Sequence, residues 1–125
     1  MKDNKFWIIA SGISGFLAVA LGAFGAHGLK NVLSPEMLDI YKTGVTYHLI
    51  HSVVLLAISL KNDKRFNISL LFFMTGIILF SFSLYLVAVT GNTIFAFITP
   101  FGGISFLIGW FFIIIRGLKY KKTNL

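Results

Sequence analysis

Phe66–Ile115, FNISLLFFMTGIILFSFSLYLVAVTGNTIFAFITPFGGISFLIGWFFIII, runs for 50 residues without a charged side chain. As one helix it would be about 75 Å long, more than twice the ~30 Å thickness of a hydrocarbon core. The stretch must therefore fold back on itself. Thr90-Gly91-Asn92-Thr93, four weak helix formers in a row, marks the turn. Two spans result, about 67–89 and 94–115.

The N-terminal half reads the same way. Phe6–Ala26 is uncharged and carries nine Leu, Ile, Phe or Val, which together favour insertion by several kcal/mol, at roughly 0.3–0.6 kcal/mol each. Thr43–Leu60 is shorter and holds His48 and His51, yet with Tyr41 and Lys61 flanking it is long enough to cross. The expected spans are thus 6–26, 43–60, 67–89 and 94–115, within a single domain over 1–125. The chain is 57% hydrophobic and 12% charged, whereas a soluble domain needs about a quarter of its residues charged. It has no cysteine, which excludes disulfides, thiolate metal sites and a cysteine nucleophile. The fold class is an all-α membrane protein, four transmembrane helices in a compact bundle.

Two helix starts share a signature. Ser34-Pro35-Glu36 places a cap, a proline at the first helical position and an acid in the first turn. Helix two is expected to begin there and run to about Leu60. Thr99-Pro100 repeats the cap and proline, so helix four is expected to start at Pro100, leaving Ile94–Ile98 as an apolar loop at the interface. Lys2 and Lys5 before an apolar run, with Ala23-Phe24-Gly25 behind it, imitate a signal peptide. The run is long for that purpose and carries packing residues, so Met1–Leu125 is read as the mature chain.

Charge sets the orientation. Four spans put Lys2, Lys5, Lys61, Lys64, Arg65, Arg116, Lys119, Lys121 and Lys122 on one side, against Lys30 and Lys42 on the other. This asymmetry predicts both termini in the cytoplasm. A three-span reading, with Thr43–Leu60 peripheral, would destroy it. The net charge of +7 is met by anionic lipid head groups and requires no nucleic acid.

Small residues at helical spacing let helix backbones approach in lipid. Helix one carries Ser14, Ala18, Gly22 and Ala26, and helix four Gly102, Ser105 and Gly109. These stripes build either the bundle itself or a homo-oligomer interface. Trp7 and Trp110 are expected as interfacial anchors.

Asp3, Glu36, Asp39 and Asp63 all fall outside the spans. A membrane-embedded carboxylate relay is therefore excluded, and with it paired-carboxylate hydrolysis at depth. The polar residues left inside are Tyr47, His48 and His51, with Tyr85 on helix three and His27 at the end of helix one. Spacings of three and four place Tyr47, His48 and His51 close together on helix two. Counted from Leu60, His51 lies roughly 13 Å and His48 about 18 Å inside. Three readings stand open. The histidines are neutral and bond across helices, or they line a protonatable path for a small solute, or His27, His48 and His51 hold a metal or haem, without carboxylate or thiolate support.

Leu21-Gly22-Ala23-Phe24-Gly25-Ala26-His27-Gly28, Tyr47-His48 to His51, Ser81-Phe82-Ser83-Leu84-Tyr85, Thr99-Pro100-Phe101-Gly102-Gly103 and Gly109-Trp110 resemble small bacterial membrane proteins of the YgdD/YwdK type. The motifs occur in order and cover nearly the whole chain. The resemblance implies a compact multi-span protein of the cytoplasmic membrane and carries over no catalytic or ligand residues. The expected function is that of a non-catalytic structural or interaction module with no cofactor. A minimal channel or carrier is the alternative, and haem or metal binding a weaker one.

Overall fold

The computed structural model describes residues 4–121; Lys2, Asp3 and Lys122, used in the charge argument, lie outside them. Every regular element among the described residues is helical. Helix α1 is Lys5–His27 and α2 is Pro35–Lys61. The third span, Lys64–Thr90, consists of a short 3₁₀ turn, α3 (Asn67–Gly76), a π-helical segment Ile77–Ser81 and α4 (Phe82–Thr90). The fourth, Thr93–Leu118, is a 3₁₀ turn followed by α5 (Thr99–Leu118). All four spans are long and apolar enough to cross a membrane.

Local chemistry accounts for the ends. Ser34 Oγ accepts from the backbone N–H of Met37 at 3.2 Å with Pro35 at the first position of α2, as its sequence signature requires. Gly91 closes α4 at φ +70°, a left-handed conformation that glycine adopts without steric cost. Asn92 Oδ1 then accepts from the Ile94 N–H at 3.0 Å and starts a 3₁₀ turn over Thr93–Phe97. Ile94–Ile98 is therefore mostly a 3₁₀ helix and not an irregular loop, because an apolar segment beside lipid must satisfy its own backbone groups. Helix α5 does begin beside Pro100, but Thr99 is no cap. Its hydroxyl pairs with Ser83 Oγ at 2.6 Å, and Ile98 occupies the cap position without a side-chain bond.

The packing order is α1 on α2, α2 on the third span, and the third span on α5. Helices α1 and α5 sit on opposite flanks, with α2 and the third span between them. Leu55, Leu70, Phe73, Ile77 and Phe106 form one buried cluster, and Leu29, Tyr41, Tyr85 and Ala88 a second near the 28–35 turn. His48 and His51 lie on α2 between the two clusters.

Glycines let aromatic rings and backbones close the gaps. A Cβ on Gly25 would strike the Tyr41 ring, on Gly44 the Tyr85 ring, on Gly76 the Phe106 ring and on Gly109 the Phe73 ring. Gly102 packs directly on the backbone of Leu79 and Phe80 in the π segment. Serines then bond across the contacts. Ser69 Oγ donates to the Gly109 carbonyl at 3.0 Å and Ser105 Oγ to the Phe72 carbonyl at 2.7 Å, joining α3 to α5. In hydrocarbon such bonds contribute about 0.6 kcal/mol on average, up to roughly 1.7. On α1 the buried positions are Ser11, Ser14, Ala18 and Gly25. Gly22 is half-buried against Val45, and Ala26 is exposed. The stripe thus leaves the expected four-residue ladder at its end, where Tyr41 reaches over Gly25 to donate to the Leu21 carbonyl.

At the basic end, Tyr120 accepts a hydrogen bond from Lys61 Nζ at 3.0 Å, and the Arg65 guanidinium lies 4.7 Å over its ring. This clasp ties the end of the fourth span to the connection between α2 and α3.

Candidate functional site

His48 is wholly buried and His51 nearly so. Hydrogen-bond valence fixes the proton on each ring. Ser52 Oγ donates to the His48 backbone carbonyl at 2.7 Å, and a carbonyl only accepts. The single Ser52 proton is thereby used, so Ser52 accepts from Ser14 Oγ at 2.6 Å. Ser14 in turn accepts from His48 Nε2–H at 3.2 Å. The remaining ring nitrogen, Nδ1, accepts from the Tyr85 hydroxyl at 2.9 Å. Tyr85, His48, Ser14 and Ser52 form a one-way chain of hydrogen bonds through α4, α2 and α1. No donor or acceptor on the imidazole is left over.

His51 takes the opposite tautomer. Trp110 Nε1–H, a pure donor, points at His51 Nε2 across 3.1 Å. Nε2 is therefore the acceptor, and the proton sits on Nδ1, which donates to the Tyr47 carbonyl at 2.7 Å. The ring stacks on Phe106 with centroids 3.8 Å apart and planes at 13°. Trp110 thus gives its indole N–H to α2 and not to a head group. Trp7 packs against the Leu55 cluster.

The expected polar residues separate into three groups. Tyr85 and His48 share one network with Ser14. His51 forms a second arrangement with Trp110 and the backbone. Tyr47 stacks near His51 but stands 42% exposed, and its hydroxyl bonds to no described residue. His27 is exposed at the end of α1. The proposed trio of His27, His48 and His51 does not assemble, and no group of three His, Cys, Asp or Glu among the described residues is placed to hold a metal. With every ring nitrogen of His48 and His51 committed, a metal at either would have to displace an existing partner.

Two clefts flank this layer. One of about 220 Å³ opens between α1 and the third span, with Ser14 and His48 at its floor and Ile13, Leu17 and Ile78 on its walls. The other, about 510 Å³, lies between α2 and α5 and holds Tyr47, His51, Phe106 and Trp110. Reading along the chain missed the roles of Ser52 and Ser14 as partners of His48 and of Trp110 as the partner of His51. The signal for the serines was present, since Ser52 is four residues from His48 and serine habitually bonds the carbonyl one turn back.

Residues 21–103 match the family described as Protein of unknown function (DUF423). The chain belongs to this family. It is 42% identical over 123 residues to the UPF0382 membrane protein YwdK of Bacillus subtilis, covering 93% of this chain and 98% of that one. Against the UPF0382 inner membrane protein YgdD of Escherichia coli K12 it is 37% identical over 125 residues, covering 97% and 95%. A UPF0382 membrane protein of Haemophilus influenzae is 39% identical, covering 98% and 99%. No solved structure matches. With four apolar helices of spanning length, this family member is a multi-pass membrane protein of bacterial type.

Proposed function

We propose that the chain is a non-catalytic packing or interaction module of the bacterial cytoplasmic membrane, with both termini in the cytoplasm. One observation carries the reading: the interior polar groups that chemistry or transport would use, His48, His51 and Tyr85, are each spent on a neighbour within the protein. The orientation rests on charge. Lys5, Lys61, Lys64, Arg65, Arg116, Lys119 and Lys121 gather at the end shared by the two termini, opposite Lys30 and Lys42. That basic end meets anionic lipid, and the apolar outer helix faces meet lipid, a second copy of the chain or another membrane helix; no nucleic acid is involved.

Because the chain lacks cysteine, single replacements report topology cleanly. In intact spheroplasts an impermeant maleimide should label Asn31→Cys and leave Thr123→Cys untouched until lysis. Function is read in proteoliposomes. No histidine-dependent solute or proton flux is expected, while His48→Ala should lower thermal stability. A flux that steps with pH and disappears in His51→Ala would replace the module with a carrier.

A further inference from the structure

The cleft between α2 and α5 contains a polar group that the fold leaves unused. Tyr47 is 12 residues beyond Pro35 on a helix that ends at Lys61, so it sits near the midpoint, roughly 18 Å from the helix start. Tyrosine in membranes ordinarily places its hydroxyl at the water boundary. Here Tyr47, four residues inside the expected span start at Thr43, borders the cleft, and its hydroxyl bonds to no described residue.

Rings of Phe80, Phe106, His51 and Trp110 make up part of the rest of the cleft, and Pro100, Gly103, Ile104 and Leu107 complete it. His51 and Phe106 stack at 3.8 Å, and the Tyr47 ring is within 11° of parallel to His51 and 24° of parallel to Phe106. Phe80 lies 4.6 Å from the Tyr47 ring, and Trp110 closes the opposite side with its N–H already given to His51. Both His51 nitrogens are likewise engaged. Among the described residues that line the cleft, the Tyr47 hydroxyl is therefore the one side-chain hydrogen-bonding group without a partner. The volume, about 510 Å³, is that of a small-molecule site.

We propose that this cleft binds a flat, lipophilic carbonyl compound of the naphthoquinone type, drawn laterally from the bilayer, with its carbonyl oxygen accepting from the Tyr47 hydroxyl. Aromatic walls favour a planar body through offset stacking. A single donor calls for an acceptor and nothing more, so a ligand with donors of its own would bury them unpaired. The site goes beyond the packing role and needs no contribution from the His48 network.

The test uses full-length protein in nanodiscs with Trp7→Phe, which leaves Trp110 as the single tryptophan of the two in the chain. Menadione is titrated and Trp110 emission followed, with 2-methylnaphthalene as the probe of the same shape without carbonyls. Saturable quenching by menadione is expected. Tyr47→Phe, which keeps the ring and removes a hydroxyl that holds nothing in place, should weaken it about five- to tenfold and leave the melting temperature unchanged. Methylnaphthalene should bind both forms alike and more weakly. If Trp7→Phe does not fold, the same signal is taken as the difference between the natural chain and Trp110→Phe. Quenching that stays linear, a Tyr47→Phe titration that overlays the parent, or methylnaphthalene equal to menadione would each overturn the proposal.

Discussion

Trp110 donates its indole N–H to Nε2 of His51 across 3.1 Å, and so determines which nitrogen of that imidazole carries the proton. Three residues earlier on the same helix, His48 is held in the other tautomer by Ser14 and Tyr85. The difference is observable. In ¹⁵N spectra of histidine-labelled protein in lipid, His51 should show a protonated Nδ1 and His48 a protonated Nε2. Trp110→Phe should alter only the His51 pattern. Identical tautomers at the two positions would mean that the hydrogen-bond directions assigned above are wrong.

Ser14 and Ser11 are both buried serines on α1, three residues apart, yet they should respond very differently to alanine. Ser11 Oγ donates to the Ile8 carbonyl of its own helix, a carbonyl already serving the helix ladder. Ser14 is the acceptor for His48 and the donor to Ser52. Removing it strands a buried imidazole N–H, which costs about 1–2 kcal/mol. Ser11→Ala should stay within about 0.5 kcal/mol of the parent. Detergent-titration unfolding of the two variants side by side separates a network from a stripe of merely small residues, and equal losses would reject the network.

The contrast between those serines shows where sequence reading stops. Charge-free stretches, Ser34-Pro35 and the Thr90–Thr93 turn lie in plain view because span length and capping are local properties. Ser14 was visible as a small residue but not as the partner of His48, 34 positions away. Trp110 and His51, 59 positions apart, are joined by the rotation of α5 about its axis. In a soluble bundle the division between apolar and polar faces would report that rotation. Here lipid-facing Phe101, Ile104 and Leu107 are as apolar as buried Phe106, and the Gly102–Ser105–Gly109 stripe reports the packed face without saying which residue of α2 Trp110 meets. The π segment Ile77–Ser81 is hidden for a related reason: its extra residue per turn answers the close approach of Gly102 on another helix and has no composition of its own.

Outside the spans, Asp63 offers a pH-dependent contact. The Arg65 side chain donates to its carboxylate, with Nη2 at 2.6 Å, and holds the Asp63 pKa down at about 2. The unfolded chain has a value of about 3.9. A depressed folded value means stability that is present above about pH 4 and is lost as pH falls toward 2. The pair is solvent-exposed, so its contribution is below about 1 kcal/mol. Melting temperatures should therefore drop slightly more steeply between pH 4 and 2 in the parent than in Asp63→Asn, and high salt should shrink the difference. Parallel curves would show that the ion pair is not formed in solution.

Glycine positions give the sharpest test of the helix arrangement, because similar substitutions should have opposite signs. A Cβ at Gly102 would press into the backbone of Leu79 and Phe80, which cannot rotate aside as a side chain can. Gly102→Ala must then push α5 away from the π segment, weakening the Ser83–Thr99 and Ser105–Phe72 hydrogen bonds with it. Overpacking of this kind costs about 1–3 kcal/mol or more. Gly103, the next residue, meets only the Phe80 ring edge at 3.8 Å, and Gly12 meets nothing within 4 Å. Gly103→Ala should be close to neutral, and Gly12→Ala should stabilise by up to about 0.5–1 kcal/mol through helix propensity. Denaturation of all three in one lipid-like detergent provides the comparison. If Gly102→Ala proves as mild as Gly103→Ala, then α5 is not seated on the third span through Gly102, and the aromatic cleft it helps to form loses its wall.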